Sequence, residues 1–539
     1  MLDNADGIVR ALKETGVSHI FGIPSIHNIG FYDALRKDSS IRHIVCRHEA
    51  GATHMADGYA RRTGGLGVVI SSTGPGAGFT ISALQEAWGS CSPVLMITSN
   101  IDVNKIGKGL GVLHELEEQS SLFRTITKEV IRAGTNDDFY LTTMRAISLA
   151  LNDRPGPVCL EIPTDLMSRE AHTGPTSPAL VRNSNDPLPS EFDRAIALLR
   201  NAKQPVILAG TDAARSTIGP DLQALAESMC APIITNTAGK GVVPEDHPLA
   251  FGNSARKLVV EDIVPQCDVA LVIGSRLREV DAKRRGLKLP SKLIHLDWDD
   301  RWIGRNFEVA VPLVGDLPAL TKTLRKALEG EPYSGPRQEL TKKWAHQSDE
   351  QYQLLQKQLQ EIQSVSTLRA AIPRDATLVI DNTQLGYWAE YFFPSYHANG
   401  IIAAKGSGLL GFSFPAAIGA KLARPNQAVV GLIGDGGFMY TAQELATCVH
   451  HNIGFPLIVV NDDAFGVIGY LQRSAYGHAY QEQLTNPDFL KFAGAFGIQA
   501  TRVDSPAELR STLDEALSSG EMRLIEYRMS IEEPPFGKY

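Results

Sequence analysis

At 539 residues the chain is too long for a single hydrophobic core, and two to four domains are expected. Its composition is ordinary for a globular protein, 43% apolar and 21% charged, and a net charge of -8 leaves no basic surplus for a nucleic-acid surface. The six cysteines (Cys46, Cys91, Cys159, Cys230, Cys267, Cys448) show no CxxC spacing, which argues for buried thiols in a reducing cytosol and against a disulfide frame or zinc site.

The N-terminus carries charge within its first turns, unlike a signal peptide, and no apolar run approaches a membrane span, so a cytoplasmic protein away from membranes is expected. Residues 3–15 read as a helix with Ile8, Val9 and Leu12 on one face, stopped by Gly16. A short strand at 19–21 runs into Gly22-Ile23-Pro24-Ser25-Ile26-His27-Asn28, a Gly/Pro turn at a strand end and so a ligand-loop candidate. A strand at 42–46 precedes Arg47-His48-Glu49 and a helix over 50–62. Next come a strand at 67–71, the turn Thr73-Gly74-Pro75-Gly76, a helix over 80–90 and a strand at 93–98; an apolar strand at 157–163 closes this unit. A Pro/Ser/Asn-rich linker spans 166–190. A second unit has strands at 205–209, 232–235, 269–273 and 292–296, and the polar stretch 330–362 reads as a connecting helix or linker. A third runs from a strand at 377–381 to near Tyr527, and the tail 531–539 contains Pro and Gly. Strands alternating with helices predict parallel sheets. The expected fold is therefore α/β, with three doubly wound domains at 1–165, 190–330 and 362–539.

The chemistry concentrates in 429–467, VVGLIGDGGFMYTAQELATCVHHNIGFPLIVVNDDAFGV. An apolar run at 428–433 ends at Gly434-Asp435-Gly436-Gly437, an amphipathic segment covers 441–452, and a second apolar run at 455–460 ends at Asn461-Asp462-Asp463. This reads as strand, turn, helix, strand, turn. In a parallel sheet both turns lie at the carboxyl edge, where ligands bind, which puts Asp435 beside Asp462. Glycines let backbone N–H groups approach a phosphate, and Mg2+ takes carboxylate and carbonyl oxygens alongside phosphate oxygens. A lone GDG fits an ordinary βαβ unit equally well; the second acidic turn, one unit later, points to a metal–diphosphate site. Glu49 opens a helix, a place the helix dipole favours for any carboxylate.

These stretches carry a resemblance. The 429–467 segment resembles the metal–diphosphate motif of thiamine diphosphate enzymes, a GDG followed after a helix and strand by an Asn-Asn pair. RHEAGATHMADGYAR resembles that family's N-terminal motif, SSTGPGAGFTISALQEAW its GPG turn, and GSGLLGFSFPAAIGAKLA the turn beneath the cofactor. With four motifs in family order around a linker domain, the chain is identified as a member of the pyruvate decarboxylase–acetolactate synthase superfamily. The resemblance implies Mg2+ held by Asp435, Asp462 and the carbonyl of Ala464, with Asp462 replacing the usual Asn. It implies that Glu49 hydrogen-bonds N1′ of the aminopyrimidine, that Leu410 wedges the two cofactor rings into a V, and that the Gly408 carbonyl accepts from the 4′-amino group. Pro24, Gly74, Thr383, Gln384, Gly434, Gly436, Gly437, Phe465, Gly466 and Val467 complete the expected cofactor contacts. A buried carboxylate with a raised pKa suits proton sharing with N1′.

The activity so implied is thiamine diphosphate- and Mg-dependent decarboxylation of a 2-oxo acid through an enamine, with carboligase capacity, in a homodimer or homotetramer whose active sites are shared between subunits. An acetolactate synthase-type transferase condensing two 2-oxo acids is the alternative. Acetolactate synthases resemble the chain around NDDAFGVIGYLQ but carry Met and Trp at Val467 and Leu471. The loop 110–119, LGVLHELEEQ with Gly-Lys-Gly upstream, resembles a 5-guanidino-2-oxopentanoate decarboxylase-like branch more closely. His27 and His114 lie in loops able to reach the reacting carbonyl and are the acid/base candidates. Ile26, Ser72, Gln119, Val467, Ile468, Leu471 and Gln472 are expected to line a mostly apolar substrate space. In the middle unit, GTDAARS and IGSRLREVD are glycine turns of a kind that holds FAD or ADP in some relatives; a structural domain without FAD is expected here.

Overall fold

The apolar runs become the centres of three sheets. In the computed structural model, which describes residues 3–171, 189–330, 335–530 and 533–536, each sheet has six strands and every ladder within the sheets is parallel. The first sheet contains β1 (His19–Gly22), β2 (Arg42–Val45), β3 (Gly67–Ser71), β4 (Val94–Asn100), β5 (Val130–Arg132) and β6 (Val158–Pro163), in the order β2-β1-β3-β4-β6-β5. The second contains β7 (Pro205–Ala209), β8 (Ile233–Thr235), β9 (Ala250–Asn253), β10 (Val269–Ile273), β11 (Lys292–Asp297) and β12 (Val311–Val314), in the order β12-β11-β10-β7-β8-β9. The third contains β13 (Thr377–Ile380), β14 (Ile401–Ala403), β15 (Val429–Gly434), β16 (Pro456–Asn461), β17 (Gln499–Val503) and β18 (Arg523–Arg528), in the order β14-β13-β15-β16-β18-β17. The first and third sheets thus share one plan, and the middle sheet has the strand order of dinucleotide-binding folds. Strands β4 and β6 are buried along their whole length, as parallel strands covered on both faces must be.

The α/β class and its three sheets agree with the sequence reading; several boundaries move. The helix expected over 80–90 is Ile81–Gly89, and it is preceded by a helix not expected there, Pro75–Phe79, started by Pro75 at the end of the expected turn. The expected turn 434–437 is the start of a helix, Asp435–Thr441, with Asp435 in the first turn where the dipole favours a carboxylate. A 3-10 turn, Ala442–Glu444, leads into Leu445–His451. The polar stretch 330–362 is largely the helix Pro336–Gln358. The linker expected at 166–190 begins within the helix Thr164–Met167, and its residues 172–188 lie outside the described residues, as does most of the tail 531–539. All six cysteines are buried free thiols. Among the described residues no helix is long and apolar enough to cross a membrane.

The first and third domains join through two helices in backbone contact. Glu49–Thr63 crosses Ser413–Ala423 where a Cβ on Gly58 would overlap the Ala416 carbonyl and one on Gly419 the Met55 carbonyl. Close approach lets Met55, Ala56, Ala416 and Ala420 share one core with Phe21, Phe414 and Phe438.

Candidate active site

Strands β15 and β16 are neighbours, with Gly434 opposite Val460, so their carboxyl-edge turns stand side by side. Asp435 is 2% exposed and Asp462 half-buried. Burial raises the carboxyl pKa of both; burial and then the charge of Asp435 push Asp462 to about 7. A divalent cation would relieve this crowding of carboxylates. Asn486, which the sequence reading missed, ties the two turns together: its Nδ2 donates to Asp435 Oδ2 (2.7 Å), Asp463 Oδ1 (3.1 Å) and Asn461 Oδ1 (3.4 Å). The chain around it closes the floor, with Phe465 N–H donating to the Glu482 carbonyl (2.8 Å) and Leu484 N–H to that of Asp463 (2.7 Å), so Ala464 bridges Gln483. Two glycines are required here. A Cβ on Gly436 would sit 2.6 Å from the Phe465 ring, and one on Gly466 would overlap the Asp462 carboxylate. Thr383 lies against Gly434 and Gln384 against Gly466, so both join this cluster. Gly408 adopts φ +77° with open space beside it, on the wall of a cavity of about 350 Å³ between the middle and third domains. Asn382 Nδ2 donates to the Leu409 carbonyl (3.1 Å) and so holds the segment carrying Leu410 against β13's carboxyl end. Among the described residues no group of three or more His, Cys, Asp or Glu side chains is arranged for a metal, so a cation here would rely on the Asp435/Asp462 pair plus oxygens of other kinds.

A second cluster forms at the carboxyl edge of the first sheet. Glu49 is half-buried at the start of its helix, behind the N-cap His48, and its Oε1 would lie 3.2 Å from a Cβ on Gly76; Ser72 faces the same glycine. Gly74, at φ +61°, packs under loop 110–119, where a Cβ would come within 2.5 Å of the His114 carbonyl. The loop therefore sets His114 against His27, ring centroids 4.9 Å apart. Burial, then the neighbouring His114, lower the His27 pKa. Neither Nδ1 has a hydrogen-bond partner among the described residues. Pro24 and Ile26 are exposed on the same edge. Gln119, expected to line the substrate space, is buried and held on four partners: its Oε1 accepts from Thr73 Oγ1 (2.7 Å) and Gly74 N–H (2.8 Å), and its Nε2 donates to the Ser99 carbonyl (2.9 Å) and Glu161 Oε2 (3.2 Å). Val467, Ile468, Leu471 and Gln472 share the helix Gly466–Tyr476, which starts from the floor of the Asp435 cluster; Ile468 is 48% exposed.

The Glu49 helix touches the segment that Asp435 opens through Glu444. Gly51, two residues beyond Glu49, lies against Glu444, and Arg47 N–H donates to the same carboxylate (3.2 Å). Glu444 is nine residues past Asp435, at the end of the 3-10 turn that follows the helix Asp435 opens.

The three sheets match three family models in order: thiamine pyrophosphate enzyme, N-terminal TPP binding domain, over residues 2–122; central domain, over 192–325; and C-terminal TPP binding domain, over 381–527. A probable acetolactate synthase large subunit from Methanocaldococcus jannaschii is 32% identical over 561 residues, covering 100% of this chain and 94% of the relative. The chain belongs to the thiamine pyrophosphate enzyme family. A probable 2-ketoarginine decarboxylase AruI from Pseudomonas aeruginosa is 34% identical over 533 residues, 98% of this chain and 94% of that one. Acetolactate synthase isozyme 2 large subunit from Escherichia coli is 30% identical over 542 residues, 99% and 96% respectively. Thiamine pyrophosphate-binding domains therefore flank the middle sheet, as the motifs implied.

A side chain of the first domain reaches the acidic residues at the strand ends beside the middle domain's switch point, between β7 and β10. Buried Arg154 donates from Nε to Asp212 Oδ2 (3.1 Å) and pairs with Asp297 at the end of β11; Asp299 lies 3.9 Å off. Burial pushes the Asp297 carboxyl up despite Arg154.

Proposed function

We propose that the chain decarboxylates a 2-oxo acid with thiamine diphosphate and Mg2+, in a homodimer or homotetramer in which two copies complete each site, and that it releases aldehyde in preference to acetolactate. The observation that carries this reading is the His27–His114 pair beside Glu49: two imidazoles with unpartnered Nδ1 atoms, available to deliver a proton.

Asp435, Asp462 and the Ala464 carbonyl would hold Mg2+, with the glycine-lined strand ends receiving the diphosphate. The crowded carboxylates and the two glycines that admit no Cβ support that fit. Thiamine diphosphate supplies the carbon nucleophile and the electron sink. Glu49 would hold a proton at N1′, the Gly408 carbonyl would accept from the 4′-amino group, and Leu410 would stand under the rings. Apolar side chains left exposed near the Glu49 and Asp435 clusters (Ile26, Phe79, Leu113, Tyr440, Ile468) support completion by a second copy.

Leu471 and Val467 stand where acetolactate synthases place Trp and Met. An indole gives a rigid wall and an N–H donor able to orient a second acceptor, and Leu gives neither. The acceptor space should then be wider and less selective, so proton delivery by the histidines competes well. The relative named a 2-ketoarginine decarboxylase fits this branch, while those named acetolactate synthase large subunits fit the condensing alternative. His114→Ala should slow aldehyde release more than CO2 release. Wild type and His114→Ala, given a panel of 2-oxo acids including pyruvate, should be compared for CO2, aldehyde, hydroxyketone and acetolactate. Acetolactate as the dominant wild-type product would move the chain to the transferase class.

A further inference from the structure

The segment leading into Gly408 is gripped from a direction the proposed chemistry does not use. Glu86, in the helix Ile81–Gly89 of the first domain, is fully buried. Its carboxylate accepts from the backbone N–H of Gly406 (2.7 Å) and of Ser407 (2.7 Å) and from Ser407 Oγ (3.2 Å), taking both main-chain donors just before Gly408. Ser90 Oγ (2.9 Å) and Arg61 Nη2 (3.1 Å) complete its shell. Arg61 is itself forked onto Asp57 (2.8 and 2.6 Å) and donates to the Ala403 carbonyl (2.8 Å) at the end of β14. From the other side, Arg278 of the middle domain donates to the Lys405 carbonyl (2.6 Å) while its fork closes on Asp281 (2.7 and 3.0 Å). Main chains touch as well: a Cβ on Gly89 would overlap the Gly406 carbonyl, and one on Gly406 would overlap that of Glu86. Three domains thus meet on residues 405–407.

A buried carboxylate persists only when its lone pairs are satisfied and its charge is matched. Burial pushes the Glu86 pKa up, but Arg61 and the two N–H groups bring it below the ordinary value. An ionised acceptor fixed by a helix is a stiff anchor for two consecutive amides.

We propose that Glu86 is a positioning residue for the cofactor cradle, setting where the Gly408 carbonyl and the Leu410 side chain stand. The proposal rests on the thiamine diphosphate reading. It gives the first domain two tasks: Glu86 shapes the pyrimidine end of the site in its own chain, while Glu49 would serve the site completed with a second copy.

Glu86→Gln keeps the shape but turns one acceptor oxygen into a donor facing N–H groups. Full-length wild type and Glu86→Gln should be titrated calorimetrically, in Mg2+, with thiamine diphosphate and separately with inorganic diphosphate, which reaches only the Asp435/Asp462 end. Thiamine diphosphate affinity should fall about 10- to 100-fold, diphosphate affinity should stay within about twofold, and the circular dichroism of the bound aminopyrimidine should change. Glu86→Asp, which keeps the charge, should recover part of the loss. Equal losses for both ligands, or no loss for either, would overturn the proposal. If Glu86→Gln does not fold, Arg278→Gln, which frees the carbonyl side of the same segment, must show the same split or the proposal fails. Wild type that binds diphosphate but not thiamine diphosphate would remove the cofactor reading and this role with it.

Discussion

Glu49→Gln enzyme should bind thiamine diphosphate about as tightly as wild type and turn over about 10²–10⁴-fold more slowly. Glutamine can donate or accept one hydrogen bond at N1′, so the cofactor keeps an anchor, but it cannot share a proton there. The backbone around the residue should tolerate the change. Glu49 is the first residue of its helix, capped by His48 through the Ala50 N–H, and the missing Cβ of Gly76 leaves room beside its carboxylate. Neither feature depends on the charge of the side chain beyond a modest helix-dipole contribution of ~0.3–1 kcal/mol. Turnover at saturating cofactor, set beside a binding isotherm for the same protein, separates the two effects. Near-native turnover would remove Glu49 from the proton path.

The parts of this fold legible in the sequence were those that obey local rules. Central parallel strands such as β7 and β10 are uninterrupted apolar runs ended by glycine, and both emerge with the bounds read from periodicity. Edge strands β5, β12 and β14 escaped, because three or four residues are too short to carry such a run. The GDG segment was recognisable as a site but not as a helix start, since its three glycines mask the helical signal. Side chains that act over long chain separations were invisible. Asn486 reaches Asp435 across 51 residues and Glu86 reaches Gly406 across 320, and neither sits in a pattern that periodicity can flag. Gln119 was visible as a polar residue near a ligand loop, yet nothing local shows that four partners hold it behind the Thr73–Gly74 turn.

Asp435→Ala protein should lose thiamine diphosphate binding outright. Asp435 supplies one of the two carboxylates proposed to hold the metal, and without it Mg2+ would face Asp462, a carbonyl and water in place of a matched pair. The diphosphate would then meet the site with its charge largely uncompensated. Folding should survive. Asn486 keeps Asp463 and Asn461 as acceptors after the substitution, and removing Asp435 relieves the repulsion that adds to burial in raising Asp462. Thermal unfolding with and without ligand tests both halves of this expectation. Wild type should gain about 2.7 kcal/mol of stability at free cofactor a hundredfold above Kd, in saturating Mg2+. The variant should melt near the metal-free wild type and gain nothing under the same conditions. Stabilisation of Asp435→Ala to the wild-type extent by Mg2+ and thiamine diphosphate would take Asp435 out of the metal site and leave Asp462, with Asp463, as the carboxylates to examine.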